Sequence, residues 1–202
     1  MSPRSKEQNA IIKDERREQL LSAALRVFAH KGLAATKIGD IAAAAKLSHG
    51  LVYHYFDSKD DIFTELVRRA VYIANDTIGE IGRRPLEPID KLRAIAETTM
   101  VGIAENEDGA YNFYLMMQAF ASDAGPEKAK EHMRELTVPA EVTCRAVAEG
   151  QAKGQVREGD PMEYAMVFWS AIQGLAVNRI ASGAHFKMPD SSLLVRMFEK
   201  QG

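Results

Sequence analysis

Helix punctuation recurs along this chain from end to end, and alternating β patterns are nearly absent. That feature leaves an all-α fold as the expectation. The first clear helix runs from about Asp14 to Lys31, where Leu20, Leu21, Ala24, Leu25, Phe28 and Ala29 line one face and Gly32 supplies a left-handed stop. A compact series follows. Thr36 reads as an N-cap, Ile38, Ile41, Ala42 and Ala45 as the inner face of a short helix, Lys46-Leu47 as a turn, and Ser48 as the next N-cap of a helix to Phe56. Ser58 then caps a new helix with two carboxylates, Asp60 and Asp61, in its first turn, running through Ile62, Leu66, Val67 and Ala70 towards Gly79.

Gly79, Gly82 and Arg83-Arg84-Pro85 end that helix and mark a domain boundary. Beyond it, Ile89 to Ile103 and Tyr111 to Phe120 are helical, the second rich in aromatics and Met. Pro126 to Lys153 is a longer helical region that Pro139 must kink or split, closed by Gly154. Asp160-Pro161-Met162-Glu163 is a strong start signal for a helix to about Ser182 that is apolar around most of its circumference. Asp190 to Glu199 gives a last short helix. The division expected is residues 1–58 as one domain, residues 59–82 as a linking helix, and residues 86–202 as a helical core.

Charge is unevenly spread. Overall there are 26 basic and 28 acidic residues, but residues 1–56 hold nine Lys or Arg against five Asp or Glu, so positive charge gathers at the N-terminal end. A single cysteine, Cys144, makes neither an internal disulfide nor a multi-thiolate metal site and fits a reducing compartment. With no signal-peptide pattern and no span-length apolar run, the expectation is a cytoplasmic protein away from membranes. The histidines show no metal-ligand spacing, no cofactor motif occurs, and GxSxG, phosphate-loop and HExxH patterns are missing, so neither metal, cofactor nor enzyme activity is expected.

The chemistry concentrates in residues 48–56. On a wheel of about 100° per residue, His49, Gly50, Tyr53 and His54 fall on one half and Leu51, Val52, Tyr55 and Phe56 on the other. One face suits a core and the opposite face is polar and aromatic. A helix of this kind, propped by a preceding short helix across a tight turn, fits a DNA major groove, with Ser48, His49 and Gly50 at the end that reaches bases. The plainer alternative is an ordinary surface helix.

Phe28-Ala29-His30-Lys31-Gly32, Thr36-Lys37-Ile38-Gly39-Asp40-Ile41-Ala42, Leu47-Ser48-His49-Gly50-Leu51-Val52-Tyr53-His54-Tyr55-Phe56 and Ser58-Lys59, in that order, resemble the TetR family of helical, dimeric transcriptional regulators. The resemblance implies a helix-turn-helix at about residues 37–56, a linking helix, a ligand-binding core, and a dimer interface made by the last two helices. It implies DNA-binding roles for Thr36, Lys37, Ser48, His49, Gly50, Tyr53, His54, Tyr55 and Lys59. The resemblance places Tyr53, Tyr55 and Lys59 towards phosphates and His49, Gly50 and His54 near bases; Lys37, Lys59 and the basic residues before Asp14 are expected to neutralise phosphates. Lys46 departs from the family pattern, which has glycine at the turn, and in a left-handed backbone a non-glycine residue costs about 1 kcal/mol.

Met100, Ile103, Tyr111, Phe113, Tyr114, Met117, Phe120, Met133 and Gln173 are candidates for an effector pocket, with ordinary core packing as the alternative for each. Ala165, Phe168, Trp169, Ile172, Leu175, Ala176, Leu194 and Phe198 are candidates for a homodimer interface, against the core of a monomer. The resulting expectation is a homodimeric repressor that binds a palindromic DNA operator and leaves it on binding a small, largely apolar ligand. Control by a protein partner or by no effector is the second reading, and a helical enzyme or structural dimer the third.

Overall fold

The computed structural model describes residues 6–122 and 125–200, with side chains from residue 12 onward. Among the described residues ten α-helices follow one another, and the one β feature is an isolated bridge between Val156 and Glu199. The expected all-α architecture is what the chain forms.

Four helices build the N-terminal head: α1 (Lys6–Ala35), α2 (Ile38–Ala44), α3 (His49–Tyr55) and α4 (Lys59–Arg83). Helix α1 starts eight residues before the expected Asp14 and is broken at Gly32, whose positive φ of 73° with ψ of 161° no L-residue holds comfortably. Ser48 and Ser58 cap α3 and α4 as expected, each accepting a backbone N–H three residues on. Thr36, by contrast, does not cap α2. The cap position is Lys37, whose backbone N–H is met by the Asp40 carboxylate, while the buried Thr36 hydroxyl donates back to the Gly32 carbonyl at 2.7 Å. The break at Gly32 frees that carbonyl, and the hydroxyl four residues on satisfies it.

Helix α4 buries Ile62, Phe63, Leu66, Val67, Ala70 and Val71, two rows at a spacing of four that form a single face. Phe63 meets Phe28 edge-on, with ring centroids 5.4 Å apart. Helix α4 ends at Arg83, inside the expected Gly79-to-Pro85 stretch. Gly82 serves packing: a Cβ there would stand 2.9 Å from a Val142 methyl, so bare backbone lets another helix lie close.

That neighbour is α8 (Val138–Ala152), part of a core with α5 (Pro88–Glu105), α6 (Glu107–Ala121), α7 (Glu127–Arg134), α9 (Pro161–Ser182) and α10 (Ser191–Arg196). Pro139 splits the 126–153 region as expected and sits in the first turn of α8. The indole of Trp169 on α9 donates to Thr143 Oγ1 at 3.1 Å and to the Pro139 carbonyl at 3.3 Å, tying α9 to the start of α8. Two apolar clusters result. One joins α1 to α4 with α6 and Ala129 of α7; the other joins the end of α4 with α5, α8, α9 and α10, and Phe113 and Ile180 touch both.

Lys46, between α2 and α3, is the one non-glycine residue with positive φ among those described, at 53°. Lys46→Gly is expected to raise folding stability by about 1 kcal/mol, read as a higher denaturant midpoint at unchanged slope.

Candidate functional site

Helix α3 lies against its own domain through fully buried Val52, with Phe56 closing its C-terminal end. The opposite side is open: Ser48, His49, Gly50, Tyr53 and His54 are all exposed, Tyr53 to 54%. Tyr55 is half-buried against the core and meets the His54 ring edge-on. Gly39 of α2 gives the His49 ring its seat, since a Cβ there would be 3.0 Å from Nε2. A Cβ on Gly50 would have no neighbour within 4 Å, so bare backbone faces outward there. Lys37 and Lys46 are exposed on either side of α2, and Lys13 is exposed on α1. Arg4 and the Lys6 side chain lie outside the described residues.

Two expected contacts are corrected. Thr36 is 1% exposed with its hydroxyl turned inward, so it presents nothing to a nucleic acid. Lys59 is also committed elsewhere: its ammonium donates to the carbonyls of Leu33 at 2.8 Å, Thr36 at 2.9 Å and Ala34 at 3.1 Å. Helix ends leave carbonyls short of intrahelical donors, and of these three only that of Leu33 also accepts a backbone N–H, from Thr36; a cation at a helix C-terminus also answers the helix dipole. Lys59 is therefore a clasp between α4 and α1.

A second clasp lies further along α4. The Glu65 carboxylate accepts from Arg17 of α1 at 2.9 Å and from Arg68 and Arg69 of its own helix, and Arg69 reaches on to Glu18 of α1. Burial penalises the Glu65 charge, but the hydrogen bonds from Arg68, Arg17 and Arg69 outweigh it and bring the pKa from 4.5 down to about 2. Arg17 also stacks over the Phe56 ring, 5.2 Å from its centroid, so the end of α3 shares this cation.

None of the expected effector residues lines either of the two open clefts between the helices. Met100 and Ile103 are buried in the second cluster, Tyr111 in the first; Phe113, Tyr114 and Met133 pack half-buried around them, and Met117 is half-buried on α6. Phe120 and Gln173 point outward, Phe120 to 81%, because each lies on the solvent side of its helix. Two open clefts stand out instead. One, of about 430 Å³, runs between α1 and the end of α2 beside Arg26 and His30; the other, of about 440 Å³, lies between α4 and α7 around Tyr72 and Asn75, residues that no sequence motif singles out.

Six of the eight interface candidates are corrected, while Trp169 and Leu175 remain half-buried. Ala165, Phe168, Ile172, Ala176, Leu194 and Phe198 are buried in the chain's own second cluster, and Trp169 and Leu175 are packed against it. The apolar residues of α9 left exposed are Met162, Met166, Val167 and Val177. Apolar periodicity around a whole helix does not tell which stripe turns inward, so the stripe nearest the core claimed the residues expected outside. No helix among the described residues is long and apolar enough to cross a membrane, and among the same residues no cluster of three or more His, Cys, Asp or Glu side chains could hold a metal.

Residues 20–66, which span α2, α3 and the Lys59 and Glu65 ends of both clasps, match the family model described as bacterial regulatory proteins, tetR family. Over 167 residues, 80% of each chain, the sequence is 28% identical to the HTH-type transcriptional repressor KstR2 of Rhodococcus jostii. It is 34% identical over 86 residues to the HTH-type transcriptional regulator AcrR of Shigella flexneri, a match covering 40% of this chain and only 38% of that protein. Among solved structures, the MbdR regulator from Azoarcus sp. CIB superposes with a TM-score of 0.78 at 22% identity, over 90% of this chain and 96% of that one. AibR in complex with isovaleryl coenzyme A and operator DNA gives 0.71 at 14% identity, over 90% and 95%.

Lys59→Met takes the ammonium from the Ala34 and Thr36 carbonyls, and from that of Leu33, which keeps the Thr36 N–H, and is expected to cost about 1–3 kcal/mol of stability, whereas Lys37→Ala leaves the melting temperature unchanged; thermal unfolding of the two variants separates clasp from surface cation. The folded-state pKa of Glu65 lies below its ordinary value, so its stabilisation is complete above 4.5 and is lost as pH falls from there through about 2. Unfolding curves across that window should show a steep loss in the wild type and a shallower one, from a lower starting point, in Glu65→Gln.

Proposed function

Because this chain belongs to the tetR family of bacterial regulatory proteins through its residues 20–66, we propose that it is a homodimeric DNA-binding repressor released from a palindromic operator by a small organic ligand. The observation that carries the reading is the division of α3: Val52 is wholly buried while His49, Gly50, Tyr53 and His54 stand exposed together along its other side. A helix so mounted offers hydrogen-bonding side chains to base edges, and Lys37 and Lys46 beside it supply positive charge for phosphates. His49 and His54 read sequence, Gly50 admits close backbone approach, and Tyr53 reaches the sugar-phosphate backbone.

In this reading residues 1–58 form the DNA-binding domain, the helix of residues 59–82 links it to the core, and residues 86–202 carry effector binding and dimerisation. A two-fold partner supplies the second reading helix, about one DNA turn or roughly 34 Å away or somewhat more. The exposed row of Met162, Met166, Val167 and Val177 on α9 is the apolar surface available for that pairing. A ligand that binds better to one spacing of the two heads shifts the population away from the DNA-competent state, by no more than its differential affinity. Helix α4 transmits the change because it runs from the clasps at α1 into the second cluster.

The test begins with selection from a random duplex library at about 150 mM salt. A palindromic winner is expected, bound by a species of twice 22.3 kDa in light scattering. His49→Ala should relax sequence preference, while Lys37→Ala should weaken all duplexes alike and lower the salt slope by about one. A monomer that binds every duplex equally would overturn the proposal.

A further inference from the structure

Gly39 stands at the second position of α2, a helix of seven residues that glycine weakens where alanine would support it. Its backbone does not ask for glycine, because its φ is not positive. The packing around it asks at one point only. Outside its own turn of helix, two atoms come within 4 Å of where a Cβ would stand, His49 Nε2 at 3.0 Å and His49 Cε1 at 3.2 Å. These are the tip of one imidazole ring, and turning the ring over merely exchanges them, so the contact holds in either orientation.

The ring itself is uncommitted. His49 is exposed and makes no hydrogen bond, ion pair or ring contact among the described residues. Asp40, the carboxylate next to Gly39, is taken up by Lys31 Nζ at 2.8 Å and by the Lys37 backbone N–H at 2.9 Å, so it does not draw the imidazole aside. The main chain that carries the ring is fixed, since Ser48 immediately before it caps α3 by accepting the Leu51 N–H. His49 is thus held by shape alone, with its hydrogen-bonding capacity left for something outside the chain.

We propose that Gly39 is a positioning residue for sequence reading: its bare backbone seats the His49 ring in one pose before DNA arrives, and that pose selects one base pair in each half of the operator. The inference rests on the DNA-binding reading above and adds the residue that sets its selectivity. A ring that searches freely loses more freedom on binding and meets more than one acceptor along neighbouring base edges, whereas a ring seated in advance does neither. A methyl group at position 39 makes the ring tip give way by a few tenths of an ångström, which a side chain achieves by turning about its own bonds. Stability is therefore spared while alignment is not, because a hydrogen bond weakens steeply as its angle departs from linear. If the glycine served only to let α3 lie close to α2, its replacement would show in the melting temperature and leave the choice of base alone.

The experiment takes the full chain as wild type, Gly39→Ala, His49→Ala and the double variant, and titrates each against the duplex selected by the wild type and against every single-base-pair change of it, at one salt concentration. His49→Ala identifies the base pair it reads by losing about tenfold of discrimination there. Gly39→Ala is expected to lose at least about threefold of discrimination at the same base pair and at no other, with a melting temperature at or above that of the wild type. Adding Gly39→Ala to His49→Ala should change the profile no further, since a residue that acts through the ring has nothing to act on once the ring is gone. Preference kept in Gly39→Ala, a change at a different base pair, the same change with His49 already removed, or no base pair lost in His49→Ala would each overturn the positioning role and leave DNA binding standing. A wild type that prefers no duplex over any other would overturn the DNA-binding reading and this inference with it.

Discussion

Everything that holds α3 in place passes through the junction of α1 and α4. Helices α2 and α3 are a turn or two long and bring few buried side chains of their own, chiefly Ile41, Ala42 and Val52. Segments so short do not persist in water unless tertiary contacts support them. The support is the apolar face shared by α1 and α4, closed at one end by the Lys59 ammonium on three carbonyls and along its edge by Glu65 among its arginines. Because Arg17 touches both Glu65 and the Phe56 ring, the carboxylate that locks α4 to α1 also bears on the end of α3.

The same head has a second attachment, made through side chains. Helix α6 presents Asp108 to Ser22 and Arg26, Tyr111 to His30, and Gln118 to the Phe28 carbonyl, all on α1. Beneath these polar contacts Leu115, Met116 and Ala119 belong to the same apolar cluster as the head. Helix α6 also leans on α5 so closely that an added Cβ at Gly109 would stand 2.3 Å from the Gly102 carbonyl oxygen. A shift of α5 or α6 therefore cannot be absorbed within the core and must be felt by α1, since close-packed interiors transmit displacement.

Local signals are legible in the sequence, and signals that depend on distant partners are not. Ser48, Ser58, Asp160 and Asp190 cap helices where their spacing places them, and Pro139 divides a helical region where its missing N–H demands it. Each of those choices involves residues within one turn. The cap expected at Thr36 is off by one position because the carbonyl that Thr36 serves is released only by the unusual backbone at Gly32. Lys59 reads as a phosphate ligand since nothing nearby hints that chain 23 to 26 residues earlier supplies its acceptors. Gly82 reads as a stop signal yet admits Val142, a contact between helices that spacing along one helix cannot encode. The polar edge of α3 is readable for the opposite reason, because the buried side of so short a helix is set by its own alternation of Val52 and Phe56 against His49 and Tyr53.

Trp169 carries a consequence of another kind. It is the only tryptophan of the chain, half-buried on α9, with its indole N–H shared between Thr143 and the Pro139 carbonyl. Its fluorescence therefore arises from a single environment, the meeting of α8 and α9, with the Phe168 ring edge-on beside it at 5.5 Å. Emission colour and intensity follow the polarity and rigidity at that one place, so the molecule comes with an optical label built into the helix that also exposes Met162, Met166, Val167 and Val177.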